Sequence, residues 1–108
     1  MALVIKIDPQ PTLVSLVLEG ELDTKSAPQL LEELTKIALA ELEELRIHAS
    51  ELSFMSSAGL RALVFAKQKM PHTSRLLLIG ASDSVREVIS RTGLESAVTL
   101  LDSIDDTP

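Results

Sequence analysis

Ser53-Phe54-Met55-Ser56-Ser57-Ala58-Gly59-Leu60 puts two adjacent hydroxyls and a glycine where an apolar strand and loop give way to a helix. From Ala58 to about Met70 the residues Leu60, Ala62, Leu63, Val64, Phe65 and Ala66 supply the apolar positions of that helix, and Pro71 ends it. A serine at such a start has two roles open to it. As a cap, Ser57 turns its oxygen onto backbone N–H groups that have no partner inside the helix. As a switch, it accepts a phosphate, which gains from the helix dipole and adds about two negative charges to the surrounding surface while leaving the fold intact. The apolar residues of the helix cover more than one face, which fits either packing by flanking helices or a partner surface beside Ser57.

Working outward, Leu3 to Ile7 and Leu13 to Glu19 read as two short strands rich in Val, Ile and Leu. Asp8-Pro9-Gln10-Pro11 separates them, a turn that a helix could not cross, so they should pair as a hairpin. Ser26 with Gln29 forms a capping-box pattern, Pro28 is tolerated in the first turn, and Ala27, Leu30, Leu31, Leu34, Ile37 and Ala38 follow at helical spacing. Glu32, Glu33 and Lys36 face outward on this helix, and Glu41, Glu43 and Glu44 read as its solvated end and loop. Leu45 to Ala49 is expected as a third strand. Arg75 to Ile79 is a fourth, with the continuous apolar character of a strand buried on both faces of a parallel sheet. Ser84 with Glu87 repeats the capping box, Val85, Val88 and Ile89 share one face, and Gly93 stops the helix. A last strand fits Ala97 to Leu101, and the acidic tail over 102–108 is expected to fray. Strands alternating with helices predict a single α/β domain with its core over about 3–101.

Composition narrows the function. The chain has 108 residues, 45% of them hydrophobic and 24% charged, the balance of one globular domain. Phe54 and Phe65 are its two aromatic residues, so stacking platforms for single-stranded nucleic acid are missing. A net charge of −6 argues against nucleic acid and anionic membranes as partners, and favours a basic surface. The absence of cysteine removes disulfides, thiolate metal sites and cysteine nucleophiles. Met1 to Ile7 lacks a basic leader and is interrupted by Lys6, so it does not read as a secretory signal. The longest uncharged apolar stretches fall far short of the about 20 residues that span a bilayer. Direct membrane insertion is not expected, and a cytoplasmic location is.

Enzymatic chemistry finds little support. A nucleophile elbow needs Gly-x-Ser-x-Gly, and Met55 stands two before Ser57 although Gly59 stands two after. His48, expected at the end of a strand near the loop, is the candidate base for a Ser–His pair, while His72 belongs to the polar turn Pro71-His72-Thr73-Ser74. No metal-ligating cluster, phosphate-cradling glycine loop or cofactor motif is present. Asp23 and Thr24 precede the first helix, where they can cap it or stabilise the preceding turn.

Two stretches together, Ser53 to Leu60 and Gly20-Glu21-Leu22-Asp23-Thr24-Lys25-Ser26-Ala27-Pro28, resemble the phosphoacceptor loop and the strand-to-helix turn of the anti-sigma factor antagonists, small bacterial proteins with the STAS fold. The resemblance runs from about Leu3 to Leu101. It implies a mixed sheet of four to five strands with helices mainly on one face. It also places Ser57 on the family's phosphoserine and puts Asp23, Thr24 and Lys25 beside Ser56, Ala58, Gly59, Leu60 and Arg61 on a partner surface. Ser56 stands where the family usually carries an acidic residue and is the second candidate acceptor, and His48 stands where the family often has Asp or Asn. The implied partners are an anti-sigma factor with serine kinase activity and a serine phosphatase. The rival role within the same fold is that of an unphosphorylated structural subunit in a lipid-transport ATPase or signalling assembly.

Overall fold

Pro9 and Pro11 close the first turn as the sequence requires, and the strands on either side of it are longer than their apolar cores. The computed structural model describes residues 3–94 and 96–103. In it β1 (Leu3–Pro9) and β2 (Leu13–Leu22) form an antiparallel hairpin from the pair Leu3 and Gly20 to the pair Pro9 and Val14. Helix α1 (Ala27–Thr35) and a 3-10 turn (Leu39–Glu41) lead to β3 (Glu44–Met55). Then come α2 (Ser57–Lys69), β4 (Arg75–Ile79), α3 (Asp83–Thr92) and β5 (Thr99–Leu101). The five strands lie in chain order in one sheet, and β2 to β5 are mutually parallel.

That order decides where the helices go. Each of the three crossovers joins a strand to its parallel neighbour and steps the same way across the sheet, so right-handed connections put all three helices on one face. Contacts of α2 with both α1 and α3 agree with this layer. Val14, Leu16 and Leu18 of β2 point into it and are buried, as are Leu45, Ile47 and Ala49 of β3. Ser15, Val17, Arg46 and His48 alternate onto the other face. The expected α/β architecture with helices on one side is therefore the observed one. Leu76 to Ile79 are all buried, in accord with the continuous apolar run. Among the described residues no helix is long and apolar enough to cross a membrane.

Several local expectations are overturned. β3 does not stop at Ala49 but runs on to Met55, because β2 also extends and pairs with it through Glu19–Glu51, Gly20–Leu52, Glu21–Phe54 and Leu22–Met55. Two register shifts, between Val17 and Glu19 and between Gly20 and Glu21, accommodate the extension, and Gly20 adopts φ 101° within it. The polar Ser50, Glu51 and Ser53 disguise this part of the strand, whose buried residues are Leu52 and Met55. Neither capping box forms. Gln29 donates its amide to the Leu3 carbonyl at 3.0 Å, and the cap of α3 is Ser82, whose Oγ accepts the Val85 N–H at 3.4 Å. Gly93 does close α3, at φ 73°. The last strand is shorter than expected, and the frayed tail expected at 102–108 lies, beyond Ser103, outside the described residues.

Glu44 corrects the reading of the acidic run. It opens β3, is 7% exposed, and takes hydrogen bonds from Arg46 Nε and, at 2.6 Å, from Arg75 Nη2, tying β3 to β4 at the end of the sheet away from α2. Burial pushes its carboxyl upward, but the two arginines outweigh burial and hold it below the ordinary range. A depressed carboxylate contributes stability that is present above its unfolded value and is lost as the pH falls toward the folded one. Glu44→Gln should therefore cost about 1–2 kcal/mol at neutral pH and flatten the decline in stability between about pH 5 and about pH 3. Urea unfolding across that range checks this, and a variant that loses stability with acid as steeply as the wild type would contradict it.

Candidate functional site

Both sequence motifs end at the carboxyl edge of neighbouring parallel strands. β2 runs out at Leu22 and β3 at Met55, and these two residues are paired. The Ser56 N–H then donates to the Leu22 carbonyl at 2.8 Å. Ser53 Oγ donates to the Gly20 carbonyl at 2.9 Å. The turn after β2 and the loop before α2 are thus one continuous surface, as the resemblance implied.

The cap of α2 is Ser56, and Ser57 is the first helical residue. Ser56 Oγ accepts the Gly59 N–H at 3.3 Å and the Ser56 carbonyl accepts the Leu60 N–H at 3.0 Å. This corrects the capping role weighed for Ser57 and engages the hydroxyl of the second candidate acceptor. Ser57 is exposed, and its hydroxyl makes no hydrogen bond among the described residues. The first-turn N–H groups of α2 and its dipole favour negative charge at this point.

The upstream turn is held by Asp23. Its Oδ1 accepts the backbone N–H groups of Lys25 and Ser26, both at 2.9 Å. Ser26 Oγ donates to the Glu21 carbonyl at 2.8 Å and in turn accepts the Asp23 N–H at 2.9 Å. The Ser26 backbone N–H is the main reason that the Asp23 carboxyl lies below its ordinary value; partial burial opposes it, and the Ser26 hydroxyl and Lys25 N–H assist. Asp23 therefore shapes the turn, as one of its two readings held. Thr24 and Lys25 are exposed at its tip.

Gly59 and Leu60 do not face outward. Leu60 is 0% exposed and belongs to the core. A Cβ on Gly59 would lie 2.5 Å from Leu22 Cγ and 3.1 Å from the Leu22 carbonyl oxygen. The glycine is required for close packing of α2 on the end of β2, not for the approach of a partner. The Ser–His pair fails as well. His48 lies in the middle of β3 on the helix-free face, near Lys6, Asp8, Ser15 and Val17, and the seven residues from there to Met55 span roughly 20 Å.

One feature escaped sequence analysis. An apolar groove of about 280 Å³ runs between α1 and α2 beside Ser57, lined by Thr24, Ala27, Pro28 and Leu31 on one side and Ala58, Arg61, Ala62 and Phe65 on the other. The surplus apolar residues of α2 were its signal, because Phe65 is only partly buried and opens onto the groove. Phe54, at the end of β3, is 45% exposed. Among the described residues no cluster of three or more His, Asp or Glu could hold a metal ion.

These contacts separate three substitutions. Gly59→Ala gains about 1 kcal/mol in helix propensity but forces a methyl group onto a fully buried Leu22, and a net destabilisation of about 1–2 kcal/mol is expected. Ser56→Ala should lose about 1 kcal/mol with the cap, while Ser57→Ala should stay within about 0.5 kcal/mol of the wild type. Urea denaturation ranks them, and a Ser57→Ala loss as large as that of Ser56→Ala would refute the assignment of the cap.

Comparison with known proteins agrees with this geometry. The STAS domain family model matches residues 4–107. An anti-sigma-B factor antagonist from Listeria monocytogenes is 33% identical over 88 residues, which span 81% of this chain and 77% of that protein. The fold is shared with an anti-sigma factor antagonist from Mycobacterium paratuberculosis, at a TM-score of 0.85 and 22% identity, covering 97% of this chain and 90% of the other. It is also shared with the Bacillus cell fate determinant SpoIIAA in its phosphorylated form, at a TM-score of 0.69 and 20% identity, covering 90% of each chain. Paired motifs at one sheet edge, a capped helix with an exposed serine and these similarities lead to one conclusion: the chain belongs to the STAS-domain family of anti-sigma factor antagonists.

Proposed function

We propose that this protein acts in the cytoplasm as an anti-sigma factor antagonist by partner switching, with Ser57 as its phosphoacceptor. Unphosphorylated, it binds an anti-sigma factor that is also a serine kinase. Transfer of the γ-phosphoryl group of ATP to the Ser57 oxygen, with loss of the hydroxyl proton and release of ADP, ends that affinity. A serine phosphatase restores it by hydrolysis. The chain is the substrate of both reactions and catalyses neither.

The observation that carries this reading is the division of labour between the two serines: Ser56 holds the helix start through its Oγ, while the exposed Ser57 hydroxyl makes no hydrogen bond among the described residues. A phosphate on Ser57 would therefore break no hydrogen bond among those residues, and it sits where the helix dipole favours it. A dianion placed where the partner packs against a hydroxyl brings repulsion and desolvation. A loss of about 3–4 kcal/mol weakens binding a few hundredfold, enough for an on/off response. Of the implied partner surface, Thr24, Lys25 and Arg61 are exposed, and Thr24 and Arg61 line the groove together with half-buried Ala58, which follows Ser57 in the chain.

Incubation with the anti-sigma kinase and ATP should add about 80 Da to the wild type and to Ser56→Ala, but not to Ser57→Ala, by intact-mass analysis. Phosphorylation that persists in Ser57→Ala would move the acceptor elsewhere. No added mass, together with a stable complex with a transport ATPase or other assembly, would favour the structural-subunit role instead.

A further inference from the structure

We infer that a phosphate on Ser57 is bound within the same chain by Arg61, which is thereby withdrawn from the partner-facing rim of the groove; the inference rests on Ser57 being the phosphoacceptor. Ser57 and Arg61 are four residues apart on α2, so their side chains are neighbours on its surface. Side chains on a helix lean toward its N-terminus, which aims Arg61 at the turn holding Ser57. Both residues are exposed.

Arg61 is also available. Arg46 and Arg75 are paired with Glu44, Arg86 with Asp102, and Arg91 lies 3.9 Å from Glu87. Arg61 has no such partner among the described residues. No carboxylate stands three or four residues from it on α2, where Ser57, Ala58, Val64 and Phe65 occupy those positions. Its surroundings along the groove are apolar, supplied by Ala58, Ala62, Phe65 and Leu31. Among the described residues the guanidinium is paired with no anion, and phosphate matches its fork of donors. Phosphorylation then changes the surface twice, adding a dianion and removing one of the exposed cations that the unmodified protein offers its partner.

The test installs phosphoserine at position 57 during translation, so that no kinase is needed, and follows its phosphorus NMR signal against pH. Phosphoserine titrates near pH 6, and an adjacent guanidinium lowers the midpoint by stabilising the dianion. The midpoint should rise by about half a unit in Arg61→Gln and by less in Arg61→Lys, while Lys69→Gln, at the far end of α2, should match the wild type. Equal midpoints in the wild type and Arg61→Gln, or an equal rise in Lys69→Gln, would overturn the inference. Binding to the anti-sigma kinase adds a second readout: phosphorylation should weaken Arg61→Gln by a factor about fivefold smaller than it weakens the wild type. An equal factor would refute the withdrawal of Arg61. Should the kinase fail to modify Ser57, the proposed function falls, while the titration still decides whether Arg61 binds the phosphate.

Discussion

Leu22 joins the two halves of the site. Its carbonyl takes the Ser56 N–H at 2.8 Å, its side chain occupies the space in which Gly59 would otherwise carry a Cβ, and its backbone is paired with Met55. The end of β2 is thereby fastened to the start of α2, and the turn shaped by Asp23 follows directly from the same residue. Closely packed interiors transmit small displacements, so the position of the Ser57 hydroxyl depends on a contact in which neither Ser57 nor any exposed residue takes part.

The sheet explains why these elements meet. In parallel strands joined by right-handed crossovers, the loops that follow the strands collect at the carboxyl edge, the usual location of binding sites in open α/β sheets. β2 and β3 are adjacent and parallel, so the turn after one and the loop after the other become neighbours although more than 30 residues separate them in the chain. At the opposite end Glu44 clamps β3 to β4 through Arg46 and Arg75, distant from the switch. One edge is thus held by buried charge pairing, while the other presents hydroxyls, exposed cations and an apolar groove.

Elements with strong periodicity were legible in the sequence. β4 falls on its expected residues, Gly93 ends α3, and the hairpin around Pro9 and Pro11 forms. The capping boxes were misread because Ser26 and Ser84 each have a competing use for their oxygens: Ser26 bonds to Glu21 and Asp23, and Ser84 lies 3.1 Å from Ser82. The extension of β3 through Ser50, Glu51 and Ser53 was hidden because its apolar positions are too few to mark a strand without knowledge of the neighbour that pairs with it.

The sequence by itself determined the alternation of strands and helices, the acidic and cysteine-free character of the chain, and the two motifs whose residue types place hydroxyls and a glycine at a helix start. These follow from local periodicity and side-chain chemistry. Only the tertiary structure decided which serine caps α2, why Gly59 must lack a side chain, and that Leu60 faces inward while Ala27, Leu31 and Phe65 line a groove. Each of these depends on the distance between residues far apart in the chain, and that distance is fixed by the packing of α1 and α2 on one face of the sheet.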